Sequence, residues 1–226
     1  MSFHLRHTDI RIQAERAWLD ALLSHAPDVR GLVVCAQPYI NNLRESREYH
    51  AAAILRQAGF ATLVLSLLTP QEEQRDPDLR FDVAQLVHRL LAVLTWAEQQ
   101  PDLAGLPVGL LGDDTAIAAA VRLAAREPGH LEALVSRCGR IDLVGGEPLR
   151  RLMTPLLVLA PGEGSVSPQS ARTAYDCVGG EKAWQALEGV SDGLAEAGAM
   201  EAAARAACTW FQQHLPERDG DDPVAD

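Results

Sequence analysis

Residues 108–121 decide the fold, and they run Val108-Gly-Leu-Leu-Gly112-Asp113-Asp114-Thr115-Ala116-Ile-Ala-Ala-Ala-Val121. The apolar run at the start of this stretch is typical of a strand buried on both faces of a parallel sheet. The alanine-rich run that follows has the spacing of an amphipathic helix. A glycine and two aspartates separate the two runs. The stretch therefore predicts a strand that turns sharply into a helix, with two carboxylates at the turn.

The same alternation of strand and helix continues along the chain from residue 32 to residue 214. Predicted strands are Thr8–Gln13, Ala17–Leu23, Leu32–Ala36, Phe60–Leu65, Val108–Leu111, Ala133–Ser136, Leu156–Ala160 and Ala183–Leu187. Predicted helices are Ser46–Gly59, Phe81–Gln100, Thr115–Arg126, Ala171–Tyr175 and Glu196–His214. This order gives an α/β fold with a mostly parallel central sheet and helices on both faces.

Three further expectations concern the parts outside this pattern. The polar, acidic segment Gln71–Leu79 is expected to be a loop. Residues 1–215 are expected to form one domain, because no linker divides them. Residues 216–226 are expected to be an acidic, disordered tail.

The charge of the chain limits the classes of partner that it is expected to bind. The 226 residues carry 31 acidic and 20 basic side chains, a net charge of −11. Such a surface repels nucleic acid and anionic membrane, so neither is expected as a partner. No signal-peptide pattern and no apolar run of transmembrane length is present, which predicts a cytoplasmic protein. The partner is expected to be an unidentified small molecule or protein. The sequence leaves undecided whether the chain also forms a homo-oligomer.

The four cysteines show neither a CxxC nor a zinc-ligand spacing, so no metal or other cofactor is expected. Cys35 falls in an apolar strand and Cys208 in a helix pattern. Both are therefore expected to be buried structural thiols.

Seven segments resemble, in order and over most of the chain, the dienelactone-hydrolase-like branch of the α/β-hydrolase superfamily. The segments are Arg30–Ala36, Gln57–Leu63, Leu67–Glu73, Arg80–Asp82, Gly105–Gly109, Val135–Arg140 and Trp210–Leu215. The resemblance implies a central sheet of about eight strands. It also implies hydrolysis of esters, lactones or related acyl compounds by a nucleophile, an acid and a histidine.

The three catalytic positions that the resemblance implies carry acidic residues here. Where the family's Gly-x-Ser-x-Gly turn has its nucleophile, this chain has Asp114, and Ala116 replaces the closing glycine. Glu163 falls in the loop that supplies the family's acid. Asp192 stands where the family's histidine is expected. The resemblance therefore implies a triad of Asp114, Glu163 and Asp192.

The positions that would hold a reacting oxyanion are altered as well. By resemblance they are Gln37, Tyr39 and Thr115, of which Thr115 would contribute its backbone N–H. Pro38 lies among them and has no N–H to donate. Arg137 and Arg140, near the end of the strand Ala133–Ser136, are expected to form structural ion pairs.

Two functional hypotheses follow from these changes. Acyl transfer through serine needs a base, and no histidine lies between residues 131 and 213. The first hypothesis is a binding or regulatory paralogue that has lost hydrolase activity. The alternative is a hydrolase of esters, lactones or halogenated substrates that uses Asp114 as nucleophile, helped by another carboxylate or a cation. If Asp114, Glu163 and Asp192 meet at one end of the sheet, their carboxylates would be protonated, hydrated or bound to Mg²⁺ or Ca²⁺.

Overall fold

The structure is a computed structural model that describes residues 5–162, 168–191 and 193–216. Within these residues eight strands form one sheet in the order β1-β2-β4-β3-β5-β6-β7-β8. The strands are β1 (Arg6–Ala14), β2 (Ala17–His25), β3 (Gly31–Gln37), β4 (Phe60–Ser66), β5 (Val108–Gly112), β6 (Ala133–Arg137), β7 (Leu156–Pro161) and β8 (Lys182–Leu187). β2 is antiparallel to β1 and to β4, and every other neighbouring pair is parallel. The predicted α/β class and mostly parallel sheet are confirmed.

Helices cover both faces of this sheet. They are α1 (Arg47–Gln57), α2 (Pro70–Arg75), α3 (Val83–Glu98), α4 (Asp114–Arg126), α5 (Gly146–Arg151), α6 (Pro168–Asp176) and α7 (Ala199–His214). α1 and α7 pack together on one face, while α3, α4, α5 and α6 lie next to one another on the other. No helix in the described part of the chain is long and apolar enough to span a bilayer.

β3 shows why the central strands are apolar throughout. Leu32 and Val34 point into the apolar layer beneath α3 and α4, while Val33 and Cys35 point into the layer beneath α1 and α7. Both faces of the strand are thus removed from water, which is the situation of a parallel strand between two helical layers. Burial raises the pKa of the Cys35 thiol to about 12. Cys35 and Cys208 are both buried, as predicted.

The prediction of a loop over Gln71–Leu79 was wrong. Helix α2 begins at Pro70 and covers the first part of this segment, and a 3₁₀ turn follows it over Pro77–Phe81. A capping box starts α2: the Thr69 hydroxyl accepts from the N–H of Glu72, and the Glu72 carboxylate accepts from the N–H of Thr69. These local bonds give a polar segment helical structure although it contributes no buried side chain.

Two predicted helices begin later than their patterns suggest. α3 starts at Val83 and not at Phe81, because the Asp82 carboxylate caps it by accepting from the N–H of Gln85 at 3.0 Å. α7 starts at Ala199 and not at Glu196, because Gly198 has φ +79, a left-handed conformation that interrupts a helix. The predicted tail lies outside the described residues except for Pro216.

Candidate functional site

The turn between β5 and α4 is as sharp as its sequence predicts. Asp114 opens the helix with φ +45, in the left-handed region that aspartate tolerates better than most residues. Gly112 is required just before it, since a Cβ there would lie 2.9 Å from the backbone Cα of Ile117. The helix therefore packs closely on the strand, and the turn presents Asp114 at the carboxyl edge of the parallel sheet.

A buried polar network lies beneath this turn and is centred on Asp113. The Arg137 guanidinium donates to both oxygens of the Asp113 carboxylate, with Nε at 2.7 Å from Oδ1. The Gln37 amide donates to Asp113 as well, and to Glu48 Oε1 at 2.9 Å. Only 3% of the Arg137 side chain and 14% of the Asp113 side chain is exposed. The network thereby ties the ends of β3, β5 and β6 to the first turn of α1.

Asp114 itself lies in a mixed field of charge. Burial raises the pKa of its carboxyl group, and the neighbouring Asp113 adds to the rise. Arg80, Arg140 and a hydrogen bond from the backbone N–H of Thr115 act in the opposite direction. Burial outweighs the two guanidinium groups. Asp114 therefore keeps its proton to a higher pH than an aspartate in water does.

Thr115 turns its hydroxyl away from the carboxyl edge. The side chain is fully buried, and Oγ1 donates to the backbone carbonyl of Arg80. The N–H of Thr115, which the resemblance assigns to an oxyanion, acts to lower the pKa of the neighbouring Asp114 carboxyl group. It thus favours the charged form of Asp114.

The other residues predicted for the oxyanion loop are also engaged. The amide of Gln37 belongs to the network around Asp113. The Tyr39 hydroxyl donates to Asn41 Oδ1 at 3.3 Å, and Tyr39 lines a surface groove together with Asp9 and Asp20 of the first two strands. The N–H of Ile40 donates to Ser66 Oγ at 2.8 Å.

No described histidine hydrogen-bonds to Asp113 or Asp114. Five imidazoles have partners elsewhere: His7 with Ser24, His50 with the carbonyl of Ser46, His88 with Glu15, His130 with Glu98, and His214 with Glu181. His25 lies in β2, which the order of the sheet separates from β5 by two strands. Within the described residues, the strand-to-helix turn has no imidazole base.

Two of the predicted site residues, Glu163 and Asp192, lie outside the described residues. Convergence of these two carboxylates on Asp114 stays a prediction. Among the residues that the structure describes, no group of three or more His, Cys, Asp or Glu side chains could hold a metal ion. Asp113, the acid next to Asp114, is bound by Arg137. The predicted ion pairs of Arg137, with Asp113, and of Arg140, with Asp142, are confirmed.

Sequence reasoning missed the part that Arg80 plays at the site. Arg80 lies in the 3₁₀ turn Pro77–Phe81, just after the segment that was expected to be a loop, pairs with Glu73 of α2, and acts on the Asp114 carboxyl group. The buried Arg89, in the middle of α3, pairs with Glu72 and anchors α2 there. The capping signal from Thr69 to Glu72 was the sequence evidence that could have placed this segment.

No model of a protein family matches the chain. A protein from Mycobacterium tuberculosis (strain CDC 1551 / Oshkosh) that is named "Putative phosphoribosyl transferase" is 34% identical over 211 residues. The aligned part covers 93% of this chain and 47% of that protein. A protein of the same description from strain ATCC 25618 / H37Rv matches equally well. The chain spans about half the length of these curated relatives.

Solved structures resemble the chain over nearly its whole length. A dienelactone hydrolase from Anabaena variabilis has a TM-score of 0.86 and 29% identity, covering 94% of this chain and 99% of its own. Est1E from Butyrivibrio proteoclasticus has a TM-score of 0.73 and 13% identity, covering 91% and 98%. A cold-adapted esterase from an Arctic intertidal metagenomic library has a TM-score of 0.74 and 12% identity, covering 96% and 100%.

Proposed function

Because the chain has the α/β-hydrolase fold and resembles a dienelactone hydrolase over nearly its whole length, we propose that it is a member of that branch which has kept the scaffold of a hydrolase and lost the reaction. It acts as a binding or regulatory paralogue, and its ligand site is the strand-to-helix turn at Asp114. The resemblance places a serine or cysteine nucleophile at this turn. Here a carboxylate occupies the position.

One observation carries this proposal. Within the described residues the turn has no imidazole that could act as a base, because no described histidine hydrogen-bonds to Asp113 or Asp114. Without a base, neither a nucleophile at this turn nor the water of a second, hydrolytic step can be deprotonated. The amide of Gln37, another oxyanion position that the resemblance implies, is bound in the network around Asp113.

The same surroundings suit non-covalent binding. Asp114 offers a hydrogen-bonding carboxyl group, and the guanidinium groups of Arg80 and Arg140 act on it electrostatically. A ligand with hydroxyl groups and an anionic group could bond to both kinds of side chain. The network around Asp113 fixes the backbone of the turn, so the site requires little rearrangement on binding.

Hydrolysis assays test the loss of activity. The protein and its Asp114→Ala variant are assayed in parallel on acyl esters, thioesters, lactones and haloalkanes. We expect equal background rates, because neither has a working nucleophile and base. Turnover by the protein that disappears in Asp114→Ala would overturn the proposal.

Restoring the serine and the histidine of the family's site tests why hydrolase activity was lost. Asp114→Ser alone is expected to remain inactive on the same esters, because serine needs a base to remove its proton. The double variant Asp114→Ser, Asp192→His supplies both groups and is expected to gain measurable esterase activity. Activity in the single serine variant would mean that a base already serves this turn.

Binding is tested by thermal shift with hydroxy acids, ribose 5-phosphate and 5-phosphoribosyl diphosphate. The last two are included because of the name that the curated relatives carry. A compound that binds the native state raises the melting temperature, and Asp114→Ala should abolish the rise. Asp102→Ala, the same change at an exposed turn, is the control. A rise that persists in Asp114→Ala would place the ligand elsewhere.

The alternative is a hydrolase with Asp114 as nucleophile, and the position of this residue at the apex of the turn favours it. A carboxylate nucleophile forms an ester with the substrate, which water must then cleave. Mass spectrometry after incubation with a haloalkane distinguishes the two cases. A covalent adduct on Asp114 supports the alternative, and an unmodified chain supports binding without reaction.

A further inference from the structure

The two edges of the sheet differ in how well they resist pairing with another strand. β1, at one edge, carries the exposed charges Arg6, Asp9 and Arg11. β8, at the other edge, has the sequence Lys-Ala-Trp-Gln-Ala-Leu, with its one charge at the first residue. Charged side chains are a common protection of sheet edges, and an uncharged edge invites a further strand. Of the two edges in the described part of the chain, β8 is therefore the one less protected against a partner.

The hydrogen-bonding pattern shows which groups β8 presents. The carbonyl of Glu181 accepts from the N–H of Leu156 at 3.0 Å, so odd-numbered residues direct their backbone groups towards β7. Because the direction alternates along a strand, Lys182, Trp184 and Ala186 direct theirs away from the sheet. Among the strands that the structure describes, β8 pairs with β7 alone.

The surroundings of this edge leave room for a partner. A groove runs between β8 and α7, and Leu157 and Trp210 contribute to its lining. On the α7 side its wall includes the small residues Ala202, Ala206 and Thr209. In β8 itself, Gln185 and Ala186 are exposed. Trp184 and Arg205 also line the groove, so the room for a partner lies at the exposed residues of β8.

Charge identifies the partner. The chain has a net charge of −11, which opposes association of two copies over most of the surface. Among the described residues on or next to β8, three cations accompany three anions: Arg172, Lys182 and Arg205 with Asp176, Glu181 and Glu188. This locally neutral edge suits a second copy of the same chain.

We propose that two copies pair through β8, antiparallel about a twofold axis, and join their sheets into one. When two copies of a strand pair about a twofold axis, residues directly opposite each other must lie on the same face of the sheet. The axis therefore passes midway between the two copies of one residue, and that residue pairs with itself. Centring it on Gln185 places Trp184 opposite Ala186 and brings Lys182 opposite Glu188 at both ends. Centring it on Trp184 would bring two indoles together and lose both charge pairs.

The Lys182 side chain gives the interface a second role. Lys182 is the only lysine in the sequence, and its ammonium group donates to the carbonyls of Tyr175, Asp176 and Val178 at 2.9–3.0 Å. It holds the end of α6 against the first residue of β8. Its charge contributes to the attraction across the twofold axis, while its hydrogen bonds stay within one copy.

The mass in solution is the first test. The full chain of 24.4 kDa is expected to sediment as a dimer that dissociates on dilution through the micromolar range. Ala186→Pro removes an N–H that points away from β7, so the fold is retained while two bonds across the axis are lost. The dissociation constant is expected to rise at least about tenfold. Circular dichroism confirms that the variant is folded.

Charge reversal is the second test, with a matched control. Glu188→Lys places like charges opposite each other and should weaken the dimer. Glu132→Lys makes the same change at an exposed residue just before the start of β6, away from β8. It should leave the dimer unchanged. A protein that is monomeric throughout, a dimer insensitive to Ala186→Pro, or equal effects of the two lysine variants would each overturn the proposal.

A cysteine on the axis tests the register. Paired Gln185 residues lie in a non-hydrogen-bonded position, where the Cα atoms are about 4.5 Å apart, close enough for a disulfide. Gln185→Cys should therefore form a covalent dimer on mild oxidation. Gln13→Cys, at an exposed position of β1 on the opposite edge of the sheet, should not, and neither should the native protein with its own four cysteines. Equal cross-linking of both variants would contradict this register.

Discussion

At Asp114 both the backbone conformation and the burial of the side chain are unfavourable. The left-handed conformation at φ +45 is unfavourable for a residue with a Cβ, and burial disfavours the charge of the carboxylate. Two arginines and one backbone N–H offset part of that second cost. The residue thus costs stability where it stands, as is common at positions that have a function.

A pH titration of stability tests this balance. The pKa of Asp114 is raised by burial in the folded state. The folded protein therefore binds the proton more tightly than the unfolded chain, and stability falls as the pH rises towards the folded pKa. Asp114→Asn should be more stable than the native protein at neutral pH. The gain should vanish below about pH 3.9, the ordinary value for aspartate. Urea unfolding at pH 3 and pH 7 measures it, and an equal gain at both would contradict the assignment.

Asp113, one residue earlier, is stabilised by a buried partner. Arg137→Met leaves its carboxylate without the guanidinium and should destabilise the protein by about 3–5 kcal/mol. Arg140→Met is the control, because Arg140 is 37% exposed and its ion pair with Asp142 should contribute at most about 1 kcal/mol. Chemical denaturation compares the two variants. Similar losses of stability in the two variants would show that the buried network beneath the turn contributes no more than an exposed ion pair.

Among the elements, α2 shows how a polar segment becomes ordered. Its sequence has no apolar face, so periodicity predicts a loop. The capping box and the pairing of Glu72 with Arg89 supply the structure instead. Since Arg80 lies in the 3₁₀ turn after α2 and pairs with Glu73 of α2, this short helix positions one of the two cations that act on Asp114.

Acid unfolding tests the anchor of α2. The hydrogen bond from Arg89 lowers the pKa of Glu72 to about 2, outweighing its burial, and the hydrogen bonds from Thr69 help. The stabilisation is complete above the unfolded value of 4.5 and is lost as the pH falls from there towards about 2. Glu72→Gln should be less stable at pH 7 and should lose less stability across this window. Parallel acid-unfolding curves for the two proteins would contradict this account.

For the whole molecule, net charge is the dominant long-range term. A charge of −11 on 226 residues repels itself, and salt screens that repulsion. Raising the ionic strength from 0.01 M to 0.15 M shortens the Debye length from about 30 Å to about 8 Å. The melting temperature at pH 7 should therefore rise with sodium chloride. A fall would mean that surface ion pairs outweigh the overall repulsion.

The sequence by itself determined the α/β class, the order of the strands along the chain and the sharp turn at Asp114. These follow from the period of the apolar residues and from Gly112, which are local properties. Only the tertiary structure decided that Gln37, Asp113 and Arg137 form one network. These contacts join the ends of three different strands, and no local pattern encodes which side chains meet when a sheet assembles. The same reason explains why Arg80 was missed, since the fold brings it to the turn from a segment more than thirty residues away.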